Sequence, residues 1–486
     1  MKTNFSSCRW LAATALLASS LLASATPKDS GYAVVVSRQT QADPGWNRVV
    51  EALRQEHQAK VIAYEASVDE ALTALRAQFP RYVCFVAQPA EAGREFVAKV
   101  HRLTRKLDDD PFADCLWGIL TGYDADNALR IAQHRAPLTV NKAAGGTEIA
   151  LECCQEGVWY SESTAGLLVK KEKGGEPKRL SGPADSTEAL AKALTEYQAD
   201  LFVTSGHATE RDWQIGYAYR NGQFRCEGGV LYGLDTQGRK LPIRSPNPKV
   251  YLPIGNCLMG HIYGPDAMAL AFMNSGGVNQ MIGYTVPSWY GYAGWGCLDY
   301  FVEQPGRYTF AEAFFANQAA LVARLQSYFP DLVSVEPDAK GRLPAPVQVT
   351  AAASAAGLTA NDARGLVYDR DTVAFYGDPA WVARMAKGQT AWDQTLTERE
   401  GVWTFEIKPN RGLRTFDPIN RNGSQRGGRP IVQFLPRRLK DVQILEGADL
   451  KPLITDDFVL VPNPRTCDPA RNYRVVFRGT PCRQPQ

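Results

Sequence analysis

The chain has little that would commit it to a charged or membranous partner. Its 486 residues carry 54 Lys and Arg against 51 Asp and Glu, a formal net charge of +3. Such near-neutrality gives no whole-chain argument for nucleic acid or an anionic membrane surface. Disorder would require low hydrophobicity and strong net charge, and a chain 45% hydrophobic and 22% charged has neither. Beyond the first 25 residues no run approaches the roughly 18 uninterrupted apolar residues of a membrane span. No tight Cys-x-x-Cys or His-Glu-x-x-His is present, which leaves no ready-made metal motif. There is no internal repeat, and histidine is scarce, with 5 in all.

What is present begins with residues 1–25, which read as an export signal. Lys2 and Arg9 precede an apolar stretch from Leu11 to Leu22, and Ala23-Ser24-Ala25 offers small residues for cleavage before Thr26. The mature protein is therefore expected to be soluble and outside the cytoplasm, secreted or periplasmic. No Cys follows the apolar stretch, against lipid attachment there. Loss of Cys8 with the signal leaves nine cysteines, and an odd count in an oxidising compartment points to at least one thiol kept free. Cys467 and Cys482 are the pair most readily joined. Cys153 and Cys154 are adjacent and hard to pair with each other. Cys84, Cys115 and Cys297 lie in or beside apolar runs and read as buried thiols.

The length is too great for one core. Over 31–149, β-like runs (Tyr32 to Val36, Val61 to Tyr64, Tyr82 to Val86, Cys115 to Leu120) alternate with helical spacing at Trp46 to Gln58, Val68 to Gln78 and Arg94 to Leu107. That alternation predicts an α/β subdomain with a mostly parallel sheet covered on both faces. Over 150–333 a second α/β unit follows. Asp185 to Glu188 reads as a capping box opening a helix, and the strand Leu201 to Thr204 ends at Ser205-Gly206-His207. A Gly- and Arg-rich stretch reads as surface hairpins, and the strand Val250 to Ile254 ends at Gly255-Asn256-Cys257. A helix from Asp266 to Asn274, a strand from Val278 to Tyr284, an aromatic loop from Pro287 to Trp295 and a helix from Tyr308 to Leu325 complete the unit. Residues 334–400 read as a linker or insert with a closing segment. Short strands such as Trp403 to Ile407 and Phe458 to Val461 predict a small β-sandwich over 401–486.

Ligands of open parallel sheets bind beyond the carboxyl ends of the strands, and His207 and Cys257 each follow such an end. A thiol attacking an amide carbonyl needs an imidazole partner and donors for the oxyanion. The backbone N–H groups of Ala208 and Cys257 are the candidate donors, and Gly206 and Gly255 permit the tight turns that expose the side chains. The plain alternative is a buried thiol and a structural histidine. His57, His101 and His134 fall in predicted helices, where a solvated face is expected. His261, four residues after Cys257, raises a zinc reading with His207, which ranks below nucleophilic catalysis because no further ligand motif accompanies it.

These residues resemble the caspase-like cysteine peptidases. A hydrophobic strand running into Gly-His, then another running into a small residue and Cys, is that group's signature. Asn256-Cys257-Leu258-Met259-Gly260 is similar to the nucleophile region of clostripain relatives. Gly206-His207 and the later Phe375-Tyr376-Gly377-Asp378-Pro379-Ala380-Trp381 are more similar to gingipains. The resemblance implies a caspase-like three-layer α/β/α sheet, with an α/β N-terminal subdomain before it and an immunoglobulin-like β-sandwich after it. The motifs that carry it cover about 201–284. There are departures: Ala208 stands where the family usually has Gly, and Asn256 where Ala or Gly often precedes the nucleophile. Glu148, Glu152 and Asp212 are candidate acidic helpers, with surface charge as the plainer reading of each.

The resemblance further implies a substrate pocket lined from the loop after the third strand, here Trp289, Tyr290 and Trp295. Aromatic walls stack a basic side chain or pack as core, and Asp266 or Asp299 would supply a carboxylate by position alone. The implied function is an exported cysteine endopeptidase acting on a polypeptide through a thioester, with no cofactor and no metal. A catalytically silent relative binding through its sandwich and the Arg-rich run Arg411 to Arg438 is the alternative. An amidase or transpeptidase using the same pair is a third reading.

Overall fold

Tyr32–Ser37 is buried along its whole length, and so are Leu201–Thr204, Lys249–Pro253 and Val278–Tyr284. Strands without a solvent face belong inside a sheet covered by helices. The computed structural model describes residues 31–337 and 343–482; the apolar N-terminal stretch, its cleavage site and Thr26 lie outside them. One sheet of twelve strands dominates the described residues. From one edge its order is Lys60–Tyr64, Tyr32–Ser37, Tyr82–Val86, Leu116–Leu120, Val373–Tyr376, Val278–Tyr284, Lys249–Pro253, Leu201–Thr204, Lys142–Gly145, Glu156–Tyr160, Leu167–Lys171 and Lys178–Ser181. The fold is thus α/β with a mostly parallel sheet, as expected. Val373–Tyr376 runs antiparallel to Val278–Tyr284 and meets Leu116–Leu120 at one bridge, Tyr376 opposite Ile119. The last two strands form antiparallel hairpins at the far edge.

The C-terminal part is a sandwich of a four-stranded sheet, which includes Val402–Pro409 and Tyr473–Pro481, and a three-stranded sheet, Ile431–Phe434, Phe458–Val461 and Leu453–Ile454. The smaller sheet is buried on both sides. Ile431, Val459 and Val461 join Trp403, Phe405 and Ile407 in the sandwich core. Val432, Phe458 and Leu460, on the other face by the two-residue period, join the main core instead. Phe458 meets Phe112 edge-on at 5.3 Å and Phe315 at 6.1 Å.

Several local expectations are corrected. The segment 334–400, read as a linker or insert with a closing segment, contains the helices Ala351–Ala355 and Ala360–Arg370. It is pinned by the buried Arg370, which donates to the carbonyls of Val333 and Val335 at 2.6 and 2.8 Å and pairs with Asp371 at 2.9 Å. No capping box forms at Asp185 to Glu188, because Ser186 makes no cap bond. Asp185 instead accepts from the N–H and hydroxyl of Thr187 and from Thr236. The aromatic loop ends early, in the helix Tyr292–Phe301, whose residues are all buried. The Gly- and Arg-rich stretch does form hairpins, joined in one four-stranded antiparallel sheet within Asp212–Ile243. His101 is buried, not solvated, and its Nε2 contacts the Val373 carbonyl at 2.8 Å. Cys467 and Cys482 are both free thiols. Cys467 belongs to the sandwich core beside Tyr473, whereas Cys482 follows the far end of Tyr473–Pro481. Nine extended residues span about 30 Å, which no disulfide bridges.

Candidate functional site

Five neighbouring strands deliver their carboxyl ends to one edge of the sheet. Leu201–Thr204 and Lys249–Pro253 run parallel with Thr204 opposite Pro253, so the following residues, Ser205-Gly206-His207 and Gly255-Asn256-Cys257, leave side by side. Neighbouring strands lie about 4.8 Å apart. On one flank Val278–Tyr284 leads to Ser288. On the other, Lys142–Gly145 leads to Thr147 and Glu156–Tyr160 leads to Glu162.

The local chain explains why these ends hold their shape. Gly206 has φ +96°, a region that a residue with a Cβ rarely adopts. Asn256 is fully buried and ties the two ends together. Its Nδ2 donates to the Gly206 carbonyl at 3.0 Å, and its Oδ1 accepts from the Thr204 hydroxyl at 2.6 Å. The departure from Ala or Gly before Cys257 thus places a clamp between the His strand and the Cys strand. Leu258 follows Cys257 with φ +58°, a conformation that costs a bulky residue roughly 1–3 kcal/mol and is found where surroundings fix it. Its N–H is held by the Val286 carbonyl at 3.1 Å. Two residues on, Gly260 lies backbone to backbone on Gly283: a Cβ there would sit 2.2 Å from the Gly283 oxygen.

Cys257 is half-buried, and its sulfur accepts from the Ser288 N–H at 3.3 Å. His207 is exposed, with its ring 4.9 Å from that of Tyr217. Among the described residues no carboxylate hydrogen-bonds to the His207 ring. Asp212 accepts from the Thr209 hydroxyl at 3.0 Å, Glu152 is exposed, and Glu148 is half-buried with its carboxyl raised by that burial. The N–H groups of Ala208 and Cys257 have no acceptor among the described residues. His207, Cys257 and His261 do not form a group of ligand atoms close enough for a metal, among the described residues.

Of the three aromatic residues expected at the pocket, only Trp289 presents its ring to solvent, at 47% exposure. Tyr290 and Trp295 are buried. Tyr290 donates to Asp362 at 3.0 Å, while Trp295 supports Gly255 from beneath, its Nε1 3.1 Å from where a Cβ would lie. Asp299 is buried but already matched by Arg426 and Arg429, at 2.7 and 3.0 Å. Arg426 and Arg429 belong to the Arg-rich run Arg411 to Arg438 that the binding alternative would use, and both are buried. The segment they anchor lies over the site's flank: Ser424 donates to the Tyr290 carbonyl at 2.6 Å, and Asn422 donates to Glu162 at 3.4 Å.

Glu162 escaped the sequence reading. Its Oε1 accepts from Thr147 at 3.0 Å, while Oε2 is buried without a partner among the described residues. Burial raises its carboxyl above the ordinary glutamate range, against hydrogen bonds from Thr147, Asn422 and Ser205 that favour the anion. Its backbone carbonyl accepts the N–H groups of Tyr217 and Ala218 at 2.6 and 3.1 Å, which ties it to the loop carrying the ring beside His207. The available signal was a carboxylate two residues past a strand end.

Known protein families and curated proteins give no match to this sequence. Solved structures do. The chain is similar to the Arg-specific cysteine proteinase gingipain R, with 10% identity and a TM-score of 0.45 over 94% of this chain and 96% of that one. A complex of the pro- and mature domains of the Porphyromonas gingivalis proteinase RgpB gives 10% identity and 0.45 over 93% and 97%. A further structure, described as a protease, gives 9% identity and 0.36 over 93% and 97%.

Proposed function

We propose that the chain is an exported cysteine endopeptidase in which Cys257 attacks the scissile carbonyl and His207 carries the proton. The observation that supports this most is the paired strand ends: a half-buried thiol and an exposed imidazole leave adjacent parallel strands, clamped by Asn256. In the first step the Cys257 thiol passes its proton to His207 as its sulfur bonds to the carbonyl carbon, and the N–H groups of Ala208 and Cys257 receive the oxyanion. His207 gives its proton to the leaving amine, and the collapse yields a thioester. In the second step His207 takes a proton from water, whose oxygen displaces the thiolate and releases the acid.

The same geometry favours a basic side chain before the cleaved bond. A Lys or Arg group donates N–H bonds and carries the positive charge that the unpartnered Glu162 oxygen lacks. Trp289 is the wall it would pass, and Trp295 stands behind Gly255.

The test is hydrolysis of peptide anilides that differ only in the residue before the bond. Wild type should cleave Arg or Lys substrates. Cys257→Ala should lose cleavage entirely, and Glu162→Gln should lose the basic preference while cleaving neutral substrates as before. Unchanged turnover in Cys257→Ala would exclude the thiol mechanism.

A further inference from the structure

Away from the strand ends, a cleft of about 410 Å³ lies between the α/β body and the C-terminal sandwich. Three guanidiniums line it, Arg81, Arg307 and Arg384, against one carboxylate, Glu312. The carboxylate is committed: it accepts from the Thr309 N–H at 2.7 Å and lies 3.5 Å from Arg384. Among the described residues neither Arg81 nor Arg307 forms an ion pair. Arg81 donates to the Leu435 carbonyl at 3.1 Å, and Arg307 donates to Gln304 and to the Trp392 carbonyl. Asp393 acts on Arg307 only through space. Neutral polar groups around the cleft are already engaged: the Tyr308 hydroxyl donates to the Val432 carbonyl and Gln394 donates to Val432 and Gln433.

The cleft therefore holds an excess of two positive charges in a partly desolvated space, where like charges repel more strongly than in water. The helix Phe310–Tyr328 begins at its wall and adds the partial positive charge of a helix N-terminus. Two guanidiniums without carboxylates, each with N–H groups beyond those given to neighbouring oxygens, offer the charge and the donors that a phosphate or sulfate group needs. Since a water occupies about 30 Å³ of liquid, the cleft also has room for more than a bare ion. Leu396, Phe434 and Pro436 supply apolar surface for whatever bears the charge.

We propose that this cleft is a binding site for a tetrahedral dianion, a phosphate or sulfate group, carried free or on a small molecule. Bound there, it bridges Arg81 and Arg307 of the body across to the sandwich strands and stabilises the joined form. The inference does not depend on the peptidase reading.

Thermal unfolding of the whole chain tests it, with sodium phosphate, a hexose phosphate, and sodium chloride at matched ionic strength. Phosphate should raise Tm in a saturable way that chloride does not reproduce. In Arg307→Gln the phosphate-dependent rise should vanish. Should that variant fail to fold, Arg81→Gln decides: loss of one charged donor should weaken phosphate about tenfold. Tighter binding of the hexose phosphate than of phosphate assigns the bearer as part of the ligand, and equal binding assigns the ion alone. A rise equal to that in chloride, or an unchanged phosphate midpoint in Arg81→Gln, overturns the proposal.

Discussion

Asn256 shows how one side chain can organise two loops. It has no solvent exposure, and it occupies a hydroxyl on the His strand and a carbonyl beside His207. Asn256→Ala leaves the Gly206 carbonyl without this donor and the Thr204 hydroxyl with Tyr251 alone, so stability should fall by about 1–3 kcal/mol. Turnover should fall further than stability accounts for, because the relative placement of His207 and Cys257 is released. Chemical denaturation and kcat measured on the same preparation separate the two effects. Glu162 makes a second prediction through its raised carboxyl. A basic substrate needs the anion, so KM for an Arg substrate should rise as the pH falls into and below that raised range. A substrate with Gln before the bond should show no such rise. A third concerns His57, which lies 2.8 Å from Asp378 and stacks on Tyr32 at 4.1 Å. Burial lowers the imidazole and Asp378 outweighs it, so His57 titrates above its ordinary range. The folded value being raised, the contribution is complete below the unfolded pKa of about 6.5 and disappears as pH rises through the folded value. His57→Gln should therefore destabilise by about 1 kcal/mol near pH 6 and by less at pH 9. Single residues were partly legible in the sequence. His207 and Cys257 stood out by following apolar strands, whereas Asn256 and Glu162 matter through partners 50 and 15 residues away, beyond the ends of other strands.

At the scale of elements, the turn after Cys257 depends on two backbones in contact. Gly260→Ala would drive a methyl into the Gly283 carbonyl. Overpacking of this kind costs about 2–3 kcal/mol, and loss of the turn should abolish cleavage even where the variant remains folded by circular dichroism. The strands themselves were readable from continuous Val, Ile, Leu and Phe runs, and Trp46 to Gln58 from its spacing, now the helix Pro44–His57. Two readings failed for identifiable reasons. Tyr292–Phe301 is buried on every side and so shows no amphipathic stripe. Arg426 and Arg429 were read as part of a binding run because their counter-ions, Asp299 and Glu303, come from that same unrecognised helix and the residues after it.

At the scale of the molecule, the sandwich is continuous with the body. The strands Ile431–Phe434 and Phe458–Val461 send alternate residues into each core. The segment leading into Ile431–Phe434 brings Asn422 to Glu162 and Ser424 to Tyr290. Removal of residues 401–482 should therefore expose Phe112 and Phe315 and leave a body that does not unfold cooperatively, whereas the full chain should unfold with its sandwich and body in step. Calorimetry of the two proteins checks this. The α/β class and the terminal sandwich were visible in the change of pattern near Val402. Their union was not, because a two-sided strand of four residues looks the same whichever core each face enters.

Alkylation by iodoacetamide near neutral pH, mapped to each cysteine in wild type and His207→Ala, tests the central claim most directly. Burial pushes the thiols of Cys154, Cys226 and Cys297 up to about 12 and raises Cys84 and Cys115 further above the ordinary range. The account predicts that Cys257 labels far faster than any of these and that His207→Ala slows it markedly. Labelling of Cys257 no faster than Cys226, or a rate indifferent to His207, would contradict it.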